Sequence, residues 1–315
     1  MPGRACVQRG VVSPVVPAHA HAPGPGSCCA PGRTDGETPA PPGTVLALGS
    51  TTRAPRLVAL AGGTFRMGSE DAAAYPADGE GPVRDVEVAP FEIGATTVTV
   101  AAFAAFVDAT GHRTDAETFG DSLVFAGLLS ADAPPTRAVA ATPWWRLVPG
   151  ASWRHPEGPG SDVGARGDHP VTHVSHRDAV AYATWAGARL PDEAEWELAA
   201  RGGLDQQPFP WGAEREPGGV ARMRTFTGTF PDGPTGPVGT VAADAFEPNA
   251  FGLHNTTGNV WEWTASTFAP HDPRPVLRGG SFLCHDSYCR RYRTSARTAN
   301  TPDSSLSHTG FRIAR

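Results

Sequence analysis

SHRDAVAYATWAGARLPDEAEWELAARGG, residues 175–203, reads as two short helices in succession. In the first, Ser175 and Asp178 form an S-x-x-D capping box and Gly187 stands at the C′ position. In the second, Asp192 is the cap, Glu195 occupies the third helical position and Gly202 ends the element. Working outward, TVAAFAAFVDATG (99–111) gives a third short helix. Thr99 caps it, Phe103, Phe106 and Val107 repeat on one face, and Gly111 stops it. RLVALAGGTFRMGS (56–69) suits short strands carrying Val58, Leu60, Phe65 and Met67 around a Gly62-Gly63 turn. After about residue 205, Gly, Pro and Asn break the chain into turns, short strands and loops.

The composition agrees. Of 315 residues, 37 are Gly and 32 Pro, above ordinary usage, which favours turns over long regular elements. The expected fold is therefore α+β, a single irregular domain over 56–315 with few short helices and strands and its functional residues on loops. Residues 1–55 are rich in Pro, Gly, Ala, Ser and Thr and are expected to be a disordered tail, since they cannot bury enough apolar surface to offset ordering. Cys28 and Cys29 within it read as incidental, with a metal or redox handle as the alternative. The net charge of −6 gives no signal for nucleic acid, and no uncharged apolar run is long enough for a membrane span. Prolines and histidines interrupt any signal-peptide core, so a reducing cytoplasm is expected.

Three constellations carry chemistry. RGGSFLCHDSYCRRYR (278–293) sets Cys284 and Cys289 five positions apart, and no other cysteine follows residue 29. Spacing alone admits a disulfide, two buried thiols, a redox dithiol or a Cu(I) pair. A structural zinc site would need two further ligands of the same kind. His285, Arg290, Arg291 and Arg293 would favour thiolate if their charges reach the sulfurs. HNTTGNVWEWT (254–264) offers the oxygens of Asn255 and Glu262 and inward carbonyls about Gly258, a pattern open to Ca²⁺. The competing reading is a hydrogen-bonded turn before a strand that buries Trp261 and Trp263. DHPVTHVSH (168–176) spaces His169, His173 and His176 suggestively, but a strand running into a helix spreads their rings over different faces. The common nucleotide-binding and acyl-transfer motifs are absent.

These blocks, taken in order, resemble one family. GGTFRMG (62–68), ADGEGPVR (77–84), FGDSLVF (119–125), PWW (143–145), WRHPEGPGS (153–161), DHPVTHVS (168–175) and YATWAGARLPDEAEWELAARGGL (182–204) come first. PWG (210–212), NTTGNVWEW (255–263), RGGSFLCHDSYC (278–289) and RYRTSARTANTPDSS with GFR (291–312) follow. Together they are similar to the formylglycine-generating enzymes, or sulfatase-modifying factors. The resemblance implies their irregular, C-type-lectin-like α+β fold. It also implies oxidation of the cysteine in a C-x-P-x-R motif of an unfolded sulfatase to Cα-formylglycine, using O₂, a thiol reductant and Cu(I).

By the same resemblance Cys284 and Cys289 hold the copper, and Ser281, Tyr288 and Trp261 line the oxygen pocket. Arg297, Asn300, Ser122, His308 and His285 stand around the substrate groove. Asn255 and Glu262 by side chain, and Gly258 and Val260 by carbonyl, match a calcium site. A second calcium loop is altered: MRTFTGTFP (223–231) and the short DGPTGPVGT (232–240) put Arg224 where a ligand asparagine is expected, and loss of that site is predicted. The usual V-S-W-N-D-A reads VSHRDA (174–179), and the connection TASTFAPHDPRPVL (264–277) is shorter than in the family. A monomer is expected. A non-catalytic peptide- or ligand-binding module on the same scaffold is the alternative function.

Overall fold

The computed structural model describes residues 31–33 and 55–315. The tail expected over 1–55 lies outside the described residues, save Pro31–Arg33 and Pro55.

Among the described residues there are four α-helices: α1 (Val100–Thr110), α2 (Asp115–Phe119), α3 (His176–Trp185) and α4 (Glu193–Arg201). Their ends follow local chemistry. The Thr99 hydroxyl accepts from the Ala102 N–H, and Gly111 closes α1 in the left-handed region. Ser175–Asp178 and Asp192–Glu195 make reciprocal capping boxes on α3 and α4. The sequence reading missed α2, although Thr114 and Glu117 carry the same capping-box signal.

The strands make several small sheets. Gly62 and Gly63 do bridge two strands, both glycines at positive φ, yet those strands do not pair with each other. Leu57–Leu60 pairs with Phe91–Gly94, and Gly63–Met67 pairs with Arg84–Val88. The turn therefore separates two sheets. Asp121–Phe125, Thr142–Pro149 and Arg137–Val139 form a three-stranded sheet. The largest sheet orders Arg297–Ala299, Asp272–Arg278, Trp261–Ala269 and Thr309–Phe311, the last pair parallel. Its two central strands, of nine and seven residues, are longer than the Gly/Pro content of this region suggested, though their pairing is interrupted by register shifts.

Trp261 and Trp263 point their rings into the core, fully buried. They join Phe103, Phe106, Trp153, Tyr182 and Phe311 in one apolar cluster, and that cluster also contains Cys284 and Cys289. The hairpin 261–278 thus carries the chain from the core straight into the dithiol loop. No described helix is long and apolar enough to cross a membrane.

Candidate active site

The loop from Gly279 to Cys289 leaves the sheet through two glycines with φ of 95° and 74°. A side chain on Gly280 would meet the Arg291 carbonyl oxygen at 2.5 Å, so only glycine allows this closure. The loop is short and internally bonded: Cys284 N–H donates to Ser281 O, and Cys289 N–H to His285 O. As a result the Cys284 and Cys289 sulfurs approach to 3.1 Å, both buried. That is far beyond a disulfide bond of about 2.05 Å, so the pair consists of two thiols in contact.

Burial is the largest influence on Cys284 and pushes its thiol well up; the hydrogen bond and charge of Cys289 act in the same direction. The Ser281 N–H, 3.4 Å from the sulfur, and the charge of Arg291 pull it down. The other cations are diverted from the sulfurs. Arg291 itself pairs with Asp78, and Arg293 grips both oxygens of Glu80 at 2.8 and 2.7 Å. Arg290 is exposed, and its N–H donates to the Tyr75 hydroxyl. His285 bonds Ser287 through Nδ1. The arginine run therefore serves chiefly to lash residues 75–80 over the dithiol loop.

Tyr288 stacks on Phe230 with centroids 4.3 Å apart and planes 7° from parallel, and meets Trp144 edge-on at 5.0 Å. This aromatic wall includes Phe230 and Trp144, which sequence reasoning had not singled out as site residues. Trp261 lies behind the thiols in the same core, its indole N–H without a hydrogen-bond partner among the described residues. The Ser281 hydroxyl accepts from Leu283 N–H and stiffens the turn.

The expected groove residues separate into different surroundings. Arg297 is wholly engaged, bidentate on Glu193 at 2.6 and 2.9 Å and donating to the carbonyls of Asp78 and Phe268. Ser122 is a buried strut: it bonds Ser305 through both the carbonyl and the hydroxyl, and the ring of His173, all at 2.8 Å. His308 is buried with its ring 4.7 Å from Trp145. Asn300 is different, because its amide N–H donates to the carbonyl of Pro31 at 3.3 Å. Beside it opens a cavity of about 370 Å³ walled by Asp121, Leu123, Arg137, Leu147, Ser304 and Ser305. Leu123 shares an apolar cluster with Phe282 and Leu283, the residues leading into Cys284, so cavity and dithiol loop are continuous in the packing.

The histidines of 168–176 do go separate ways. His169 bonds Thr240, His173 bonds Ser122, and His176 bonds the Thr264 carbonyl. No cluster of three or more His, Cys, Asp or Glu able to hold a metal occurs among the described residues.

At 255–262 the Asn255 amide N–H groups bond the Ala242 and Ala243 carbonyls, while its buried Oδ1 has no partner among the described residues. Glu262 takes three donors, two from Arg312 and the Trp196 indole. Gly258 presses on the neighbouring segment, where a side chain would meet the Arg224 carbonyl oxygen at 2.5 Å. Arg224 turns its guanidinium onto the carbonyls of Gly239, at 3.0 Å, and Pro237. A fixed cation thus collects these backbone oxygens in the altered loop.

Residues 45–315 match the family described as the sulfatase-modifying factor enzyme 1-like domain. The formylglycine-generating enzyme of Thermomonospora curvata is 55% identical over 280 residues, which cover 82% of this chain and 92% of that protein. The inactive C-alpha-formylglycine-generating enzyme 2 of Mus musculus is 45% identical over 269 residues, 82% of this chain and 85% of its own. Among solved structures, PvdO from Pseudomonas aeruginosa superposes with a TM-score of 0.57 at 27% identity, over 87% of this chain and 98% of that one. The chain belongs to the sulfatase-modifying factor family, that of the formylglycine-generating enzymes.

Proposed function

We propose that this protein is a formylglycine-generating oxidase, converting the cysteine of a C-x-P-x-R motif in an unfolded sulfatase to Cα-formylglycine with O₂ and a thiol reductant. The observation that carries this reading is the buried contact of Cys284 and Cys289 at 3.1 Å, not joined by a disulfide. Two soft sulfur donors with no hard ligand clustered beside them suit Cu(I) rather than zinc. Copper held there would supply a soft redox centre for O₂ activation next to a substrate thiol.

The chain's own groups do the rest. The Ser281 N–H fixes the Cys284 sulfur, and Arg291 lowers the cost of its deprotonation. Tyr288, Phe230 and Trp144 close one side against water, while Asn300 and the cavity beside Asp121 receive the peptide backbone and its cationic end. For calcium, the unpartnered Asn255 oxygen supplies a ligand, and Glu262 retains one of its roughly four acceptor positions. Arg224 stands in for the second calcium ion.

The test is to load purified protein with Cu(I), supply a C-x-P-x-R peptide, O₂ and reductant, and look by mass analysis for the aldehyde. Conversion that disappears in Cys284→Ser and Cys289→Ser is expected. A peptide left unoxidised beside a working relative would refute the reading. The 45% identity to a relative named inactive keeps a binding module as the second reading. That module would bind the peptide without copper and leave it unchanged.

A further inference from the structure

Pro31, Gly32 and Arg33 lie against the cavity beside Asn300 and are held by specific contacts. The Asn300 amide donates to Pro31 O at 3.3 Å, and Arg33 N–H donates to the Ser304 hydroxyl at 3.0 Å. The Arg33 guanidinium pairs with the Asp121 carboxylate at 2.9 Å, donates to the Asp121 carbonyl at 3.2 Å, and lies 3.9 Å above the Phe119 ring. Its side chain is only 15% exposed, unusual for an arginine in a segment of such composition. Gly32 fits closely, since a Cβ there would meet Asn300 Oδ1 at 2.9 Å. Backbone, small residue and cation are each matched by the groove.

The sequence around these residues is Cys29-Ala30-Pro31-Gly32-Arg33. Of the five cysteines, Cys29 alone has proline two positions on and arginine four positions on. Taken with the substrate motif in the function proposed above, on which this step rests, the docked residues are the Pro and Arg of a C-x-P-x-R segment.

We propose that residues 29–33 are a substrate segment carried in cis: Pro31–Arg33 occupies the peptide groove of its own chain, and Cys29 is the residue presented for conversion to formylglycine. The step balances as R–CH₂–SH + O₂ + 2 R′SH → R–CHO + H₂S + R′S–SR′ + H₂O. The Cys29 side chain loses its C–S bond and its carbon is oxidised to an aldehyde; the small thiol supplies two electrons and two protons. In the net balance O₂ accepts four electrons, two from the Cys29 carbon and two from the small thiol. While Arg33 remains docked, a sulfatase peptide has to displace it.

The experiment uses the full chain, loaded with Cu(I) and given air and a thiol reductant, with aldehyde trapping and peptide mapping of Cys28 and Cys29. An external C-x-P-x-R peptide runs in parallel. The aldehyde is expected at Cys29 and not at Cys28, with a first-order rate unchanged when the protein is diluted about tenfold. Arg33→Ala, outside the family-matched residues 45–315, is expected to slow Cys29 conversion about tenfold while lowering KM for the external peptide. If the external peptide is converted and Cys29 keeps its thiol, the cis-substrate proposal falls and the oxidase reading stands. If neither is converted, it is the oxidase reading that falls. A Cys29 rate that rises with protein concentration would show delivery between copies and overturn the arrangement in cis.

Discussion

Arg278 donates to Glu197 across 2.6 Å with both side chains sealed from water, one at 0% and the other at 1% exposure. Arg278 ends the strand that feeds the dithiol loop, and Glu197 lies on α4. Glu197 also takes Arg201 at 2.6 Å and the Gly68 N–H at 2.8 Å, while Arg278 reaches Glu193 at 2.8 Å. One carboxylate thus ties helix, strand and N-terminal sheet together immediately behind the candidate site. Removing it leaves the buried Arg201 guanidinium without its carboxylate partner and Arg278 with Glu193 alone, and burial of a charge without a counter-charge is costly. Glu197→Ala is expected to destabilise the protein by about 3–5 kcal/mol, with Glu197→Gln losing less. Urea unfolding of the two variants measures the difference; a change under about 1 kcal/mol in Glu197→Ala would show the hub to be dispensable.

The aromatic wall makes a separable prediction. Phe230 lies flat on Tyr288 and edge-on to Trp144, at 4.3 and 5.4 Å. Phe230→Ala removes both contacts and opens the wall beside the thiols without touching them. Loss of stability of about 2–4 kcal/mol is expected from the truncated aromatic. If Tyr288 depends on that stack for its position, turnover of the C-x-P-x-R peptide falls while Cu(I) affinity stays near that of the parent chain. Copper affinity falling in step with turnover would instead place Phe230 in support of the dithiol loop.

Much of this was legible in the sequence because its causes are local. Helix ends follow from caps a few residues away, and Thr114–Glu117 carried the same legible signal on α2. The nearness of Cys284 and Cys289 follows from a loop of only a few residues. The rest depends on distant partners. The hydrogen bonds that hold Ser122 come from Ser305 and His173, far along the chain. That Arg291 and Arg293 serve Asp78 and Glu80 is decided by a segment more than 200 residues earlier. The docking of Pro31–Arg33 was hidden for another reason: a composition averaged over 55 residues conceals a five-residue motif.

Glycine positions separate backbone strain from packing. Gly111 and Gly258 both have positive φ, 68° and 74°, but a Cβ at Gly111 meets nothing within 4 Å. At Gly258 it would strike the Arg224 carbonyl at 2.5 Å, in the turn between Asn255 and Glu262. Gly111→Ala is expected to cost about 1 kcal/mol from conformation alone. Gly258→Ala should cost clearly more and also abolish any rise in melting temperature on adding Ca²⁺, since the turn that presents Asn255 is forced apart. Equal losses in the two variants would argue against the close approach of Gly258 and Arg224.

His173 predicts a pH dependence of stability. Its ring is buried and holds Ser122 at 2.8 Å through Nδ1. Burial is the main cause that lowers its pKa from 6.5 to about 3. Below pH 6.5 the unfolded chain takes up a proton at this imidazole, and the folded chain does not until near pH 3. Protonation therefore favours unfolding, and the contribution of neutral His173 is complete above pH 6.5. It is lost as the pH falls, at up to about 1.4 kcal/mol per unit, until the folded ring also titrates. His169 and His176 are shifted downward by burial as well and act in the same direction. Urea unfolding at pH 7.5 and 5.0 should show about 2 kcal/mol less stability at the lower pH from His173 alone. The φ of 58° at this position calls for a residue tolerant of the left-handed region, so His173→Asn is the appropriate variant. It should flatten the pH dependence by that amount even if its stability at pH 7.5 is reduced; an unchanged slope would remove His173 as its source.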